Sequence, residues 1–115
     1  MSTVLLVEDD RDQLGVRAML LEREGYAVLA AADADAALAH LASRHADIVI
    51  MDLRLPKIED GLRLISAIGP RAPVIVLTGG HAHELPVAHV LRKPCRTRVL
   101  LDTISAVLAG EAAGA

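Results

Sequence analysis

The sequence predicts one α/β domain built around a parallel sheet. Three observations carry that reading. Short apolar runs with almost no charge recur along the chain, amphipathic helical patterns lie between most of them, and Gly, Pro or Asp punctuates the junctions. Continuous apolar runs suit strands buried on both faces. Strand–helix alternation implies right-handed crossovers between parallel neighbours.

The first strand is "TVLLV" (3–7). A helix over 11–24 follows, with Leu14, Ala18 and Leu21 on one face and Gly25 as its stop. Asp10 precedes it, where a carboxylate faces the positive end of the helix dipole. "YAVLA" (26–30) is a weaker second strand. Asp33 is a good N-cap for a helix over 34–44 that carries Leu38 and Leu41. "DIVIM" (47–51) is the third strand, and a helix over 61–68 ends at "GP" (69–70). "PVIVL" (73–77) and "AHVL" (88–91) are the last two strands. The final helix spans 95–109 with Leu100, Ile104, Val107 and Leu108 at helical spacing. One crossover is abnormal. Only ten residues, "TGGHAHELPV" (78–87), separate the fourth and fifth strands. A crossover with a full helix needs about a dozen or more, so at most one helical turn fits. We read residues 1–109 as the domain and 110–115, "GEAAGA", as a flexible tail.

Composition excludes several functions. The 115 residues fit a single domain, and 53% hydrophobic content supports a real core. A net charge of -3 argues against general nucleic-acid binding, which needs clustered Lys and Arg. There is no Phe or Trp and a single tyrosine, Tyr26, so stacking on bases or sugars is largely lost. One cysteine, Cys95, rules out an internal disulfide and suits a reducing compartment. The N-terminus turns acidic within eight residues and reads as no signal peptide. No apolar run approaches the ~20 residues of a membrane helix. The expected location is the cytoplasm.

In an open parallel sheet, ligands bind beyond the carboxyl ends of the strands. At those ends stand Glu8, Asp9 and Asp10, then Asp52, then Thr78, then Lys93 followed by Pro94. Clustered carboxylates raise one another's pKa values. A hard divalent cation relieves that conflict, and oxygen-only ligands favour Mg²⁺. Lys93 and Thr78 then suit an anion arriving at the same place. The set fits phosphoryl transfer onto a carboxylate, a chemistry of positioning and charge neutralisation.

"VLLVEDD", "DIVIMDLRLP…DG", "VIVLTG" and "VLRKP" resemble the sequential motifs of bacterial response-regulator receiver domains, the CheY-like superfamily, in the right order from residue 3 to about 108. The resemblance implies a flavodoxin-like (βα)5 three-layer sandwich with sheet order 2-1-3-4-5. By position it makes Asp52 the phosphoacceptor. It makes Asp9 a direct Mg²⁺ ligand, Glu8 a ligand acting mainly through water, and the Arg54 backbone carbonyl a main-chain ligand. Thr78 matches the hydroxyl that bonds a phosphoryl oxygen, and Lys93 the lysine that pairs with it. A cis Lys93–Pro94 bond is also implied. The implied partners are a sensor histidine kinase or a histidine phosphotransfer protein. The expected chemistry is limited to the domain's own phosphorylation and dephosphorylation, with no further enzyme activity.

The chain departs from the family where the signal normally leaves the site. Val90 stands where the switch aromatic is expected, Cys95 replaces the aromatic after "KP", and the fourth helix is short or absent. The loop "LPKIEDG" is one residue longer than the usual spacing. "PVIVLTGG" resembles a stand-alone subgroup with a Thr-Gly signature and a reduced fourth helix. Stand-alone signalling without an output domain is therefore expected.

Blander readings stand beside these. Asp52 alone is as readily an ion-paired or capping Asp, and Lys93 alone a solvated lysine; their shared register favours the site. His81, His83 and His89, with Cys95 nearby, match no compact zinc spacing and read better as a solvated loop. Cys95 reads better as a small core-edge residue than as a redox thiol. Two rivals differ in class. A pseudo-receiver would serve as a protein-interaction module indifferent to phosphorylation. A haloacid-dehalogenase-type phosphatase would want an Asp two residues after the nucleophile, where Arg54 stands.

Overall fold

A computed structural model describes residues 1–80 and 85–110. The elements run β1 (Thr3–Val7), α1 (Arg11–Arg23), β2 (Ala27–Ala31), α2 (Ala34–Ser43), β3 (Ile48–Asp52), α3 (Ile58–Ile68), β4 (Val74–Thr78), β5 (His89–Arg92) and α4 (Thr97–Leu108). A 3-10 turn, Gly69–Arg71, follows α3. All five strands are parallel, in the order β2-β1-β3-β4-β5. This is the expected flavodoxin-like topology.

Side-chain alternation along the strands divides the interior in two. Leu5, Val7, Val49, Met51, Val74 and Val76 pack with Leu64 and Ile68 of α3 and the alanines of α2. Val4, Leu6, Ile48, Ile50, Ile75 and Leu77 pack with Leu21 of α1 and Leu100 and Ile104 of α4. Burial on both sides explains why β3 and β4 are apolar throughout their interiors and buried at every position. With no Phe or Trp in the chain and Tyr26 only partly buried beside one layer, aliphatic side chains fill both.

Helix ends follow local chemistry. The Asp10 side chain accepts from the N–H groups of Asp12 and Gln13, so Asp10 caps α1. Asp33 caps α2 by accepting from Ala36 N–H at 2.7 Å. Gly25, at φ 97°, ends the first helical unit in the left-handed region. α3 begins three residues earlier than its expected start at 61, because the Asp60 carboxylate reaches back to accept the Lys57 N–H. α4 starts at Thr97, two residues later than expected.

Each of the last four strands sits one residue further along than its apolar run suggests. The backbone ladder continues past the apolar side chains: Leu53 N–H donates to Leu77 O and Lys93 N–H to Thr78 O. Asp52 and Thr78 are therefore members of strands. No α-helix occurs between β4 and β5 among the described residues. The expected short segment includes residues 81–84, and His81 and His83 with it, which lie outside the described residues, as does the tail from 111 onward. The Lys93–Pro94 bond is cis as expected, and Leu55–Pro56 is cis as well.

Candidate functional site

Glu8, Asp52 and Thr78 are the buried polar residues among those described, and all three stand at the carboxyl edge of the sheet. Polar groups withdrawn from water need partners, so their gathering in one place marks the site. The ladder fixes their backbones. Glu8 N–H donates to Ala31 O at 3.0 Å, Asp52 is in register with Leu77, and Lys93 N–H donates to Thr78 O at 2.8 Å. Even-numbered residues of β1 and β3 point toward α1 and α4, so Glu8 and Asp52 continue the same face as Val4, Leu6, Ile48 and Ile50.

Lys93 Nζ lies 2.8 Å from Asp52 Oδ1 and 3.6 Å from Glu8 Oε1. Among the described residues the Lys93–Asp52 ion pair is the contact made by the buried Oδ1, which takes no hydrogen bond from any other group. Glu8 is fully engaged. Its Oε1 accepts from Arg17 Nη1 at 3.3 Å and its Oε2 from the Asp10 N–H at 3.2 Å. The Thr78 hydroxyl oxygen accepts from Gly80 N–H at 3.3 Å, which leaves its proton free to donate elsewhere. Asp9 is exposed and adjoins the buried pair.

Carboxylate oxygens of Glu8, Asp9 and Asp52 lie within 4.8 Å of one another. Burial raises the Glu8 carboxyl above its ordinary value, and contact with Asp52 adds to the rise. Desolvation likewise raises Asp9, with Glu8 contributing. In both cases burial acts first and a neighbouring carboxylate second, so the charged forms are disfavoured. An oxygen-only donor set that brings three carboxylates together fits a hard divalent cation such as Mg²⁺. The carboxylates border a cavity of about 320 Å³ that Arg54, Thr78 and Lys93 also line. The Arg54 side chain is exposed.

Every residue expected at the site from the sequence thus borders one cavity. Asp10 does too, while its side chain caps α1. Cys95 packs at the edge of the core on the α1/α4 side, as a core-edge residue should, and half-buried His89 lies in β5. Val90 is half-buried in β5. Sequence reading missed Arg17. Its signal was present: Leu14, Arg17, Ala18 and Leu21 share the i, i+3, i+4, i+7 stripe, so a charge interrupts an otherwise apolar face.

Residues 4–105 match the family model described as the response regulator receiver domain. The chain is 38% identical over 93 residues to the nitrogen assimilation regulatory protein NtrX of Azorhizobium caulinodans, covering 77% of this chain and 20% of that protein. It is 33% identical over 117 residues to the transcriptional regulatory protein CpxR of Escherichia coli, covering 94% of this chain and 50% of that one. The chain therefore spans between a fifth and a half of the length of these curated relatives. Among solved structures, a CheY-like response regulator receiver domain protein from Methanospirillum hungatei superposes with a TM-score of 0.87 at 26% identity, covering 100% of this chain and 99% of that one. No helix among the described residues is long and apolar enough to cross a membrane.

Proposed function

Because the chain belongs to the response regulator receiver domain family, we propose that Asp52 accepts a phosphoryl group from a phosphohistidine on a sensor kinase or phosphotransfer protein. One observation carries the reading. Asp52 is 4% exposed, and its carboxylate stands 2.8 Å from the Lys93 ammonium and within reach of the oxygens of Glu8 and Asp9. A buried carboxylate beside a lysine and an acidic pair is placed to receive a phosphoryl group whose charge the lysine and a bound cation can neutralise.

A carboxylate oxygen of Asp52 attacks phosphorus in line with the departing histidine nitrogen. A P–O bond forms as the P–N bond breaks, giving an acyl phosphate. The Lys93 ammonium, already beside Oδ1, pairs with a phosphoryl oxygen, and the Thr78 hydroxyl donates to another. Asp9, Asp52 and the Arg54 carbonyl would hold Mg²⁺, with Glu8 reached through water because its own oxygens are engaged. When bound, that ion neutralises phosphoryl charge in the transition state. Water attack on phosphorus later breaks the same P–O bond and returns the carboxylate and inorganic phosphate.

The test is incubation with acetyl phosphate and Mg²⁺, read by intact mass. A phosphate-sized gain that disappears in Asp52→Ala is expected. No gain in the wild type, or an undiminished gain in Asp52→Ala, refutes the proposal. One observation favours a second reading, an interaction module indifferent to phosphorylation: Val90 occupies the place of the switch aromatic in a short β5 that is half-buried at best. Partner binding unaffected by Asp52→Asn and by Mg²⁺ would select it.

A further inference from the structure

The apolar stripe of α1 contains a charge. Arg17 lies between Leu14 and Ala18 on the core-facing side, and its side chain is only 19% exposed. A guanidinium held among aliphatic neighbours needs a partner. That partner is Glu8, to which Nη1 donates at 3.3 Å. The accepting atom, Oε1, also faces Lys93 Nζ at 3.6 Å. Oε2 is committed to the Asp10 N–H at 3.2 Å. Glu8, 1% exposed, is thus tethered through both oxygens while its carboxylate sits within the acidic cluster.

We propose that Arg17 is a positioning residue that acts through Glu8 to limit how tightly the acidic pocket takes Mg²⁺. The inference rests on the Mg²⁺ reading above. Two effects combine. The guanidinium adds a positive charge beside an incoming dication. It also holds Oε1 turned toward α1, so Glu8 meets the ion through water. Lysine at this position keeps the charge but lacks the planar fork that fixes the carboxylate. A weaker metal site leaves the acidic pocket only partly loaded, so phosphorylation depends on the free cation level.

The test is Mg²⁺ titration of the full chain by isothermal calorimetry, with far-UV circular dichroism to establish folding. Arg17→Met is expected to bind Mg²⁺ about three- to tenfold more tightly than the wild type. Arg17→Lys should fall between the wild type and Arg17→Met, since it keeps the charge and loses the fork. Arg17→Gln, a milder replacement, should also tighten binding and serves if the Met variant does not fold. In a Glu8→Gln background the effect of Arg17→Met should shrink to the part due to charge alone, because the tether is already gone. A purely structural arginine would leave the affinity unchanged or weaken it. Unchanged or weaker Mg²⁺ binding in both neutral variants, with binding still dependent on Asp9, overturns this inference alone. Absence of Mg²⁺ binding by the wild type, or undiminished binding by Asp9→Asn, removes the metal reading and this inference with it.

Discussion

Replacing Lys93 by Met removes the ammonium that sits 2.8 Å from Asp52 Oδ1 while keeping an apolar stem. Coulomb's law gives such a pair about 6 kcal/mol at an effective dielectric of about 20, and about 1.5 kcal/mol in bulk water. The Asp52 side chain is 6% exposed and that of Lys93 30%, so solvent screens one end only. Breaking a fully buried pair costs about 3–5 kcal/mol. Allowing for the screened end places Lys93→Met at about 2 kcal/mol of lost stability. With a urea slope of about 1.3 kcal/mol/M, the unfolding midpoint should fall by about 1.5 M in metal-free buffer. Two further measurements isolate the cause. In an Asp52→Ala background the same substitution should cost under about 0.5 kcal/mol, since Glu8, the buried carboxylate that remains near Lys93, keeps its pairing with Arg17. Millimolar Mg²⁺ should shrink the deficit of Lys93→Met, because a cation at the acidic cluster substitutes for the missing ammonium. A deficit that is small, or equally large without Asp52, refutes the reasoning.

Asp9→Asn removes one of three carboxylates whose oxygens lie within 4.8 Å of one another. Metal-free stability should rise by about 1 kcal/mol, and the added thermal stability that Mg²⁺ gives the wild type should vanish, both read by melting with and without Mg²⁺. Two glycines should respond in opposite directions. A Cβ on Gly61 would strike the Leu53 carbonyl oxygen and come within 2.8 Å of its carbon, so Gly61→Ala should destabilise by about 2 kcal/mol or more. Gly15 is exposed inside α1 with open space around it, so Gly15→Ala should stabilise by about 0.5–1 kcal/mol. Both are checked by urea unfolding. Asp47 supplies the pH dependence. Its carboxylate accepts the Thr3 N–H at 2.7 Å, which holds it below its ordinary value of 3.8, with His45 contributing. The stabilisation is present above pH 3.8 and is lost as pH falls through the lower folded value. Asp47→Asn should therefore be less stable than the wild type at pH 6, by about 0.5 kcal/mol after solvent screening, and the two should converge in melts at strongly acidic pH.

Much of the architecture was legible because parallel strands buried on both faces must be apolar end to end. "DIVIM" and "PVIVL" read as strands without reference to anything distant, and the caps at Asp10 and Asp33 are local chemistry. Ten residues between the fourth and fifth strands were too few for a full crossover helix, which chain length alone decides. The polar residues at the strand ends were legible as a group, because the ends of parallel strands share one edge.

Other features depended on tertiary contact. Strand ends shifted by a residue because neighbouring backbones, and not side-chain polarity, decide where a ladder stops, and this placed Asp52 and Thr78 inside strands. Arg17 looked like an ordinary helix charge until side-chain alternation in β1 aimed Glu8 at α1. By itself the sequence determined the fold, the edge at which chemistry occurs and the residue types available there, since periodicity and chain reach are local properties. Which residue engages each oxygen of Glu8, and which cation pairs with Asp52, were decided only by packing. Those pairings join residues as far apart as 8 and 93, brought together by burial of the sheet between its helices.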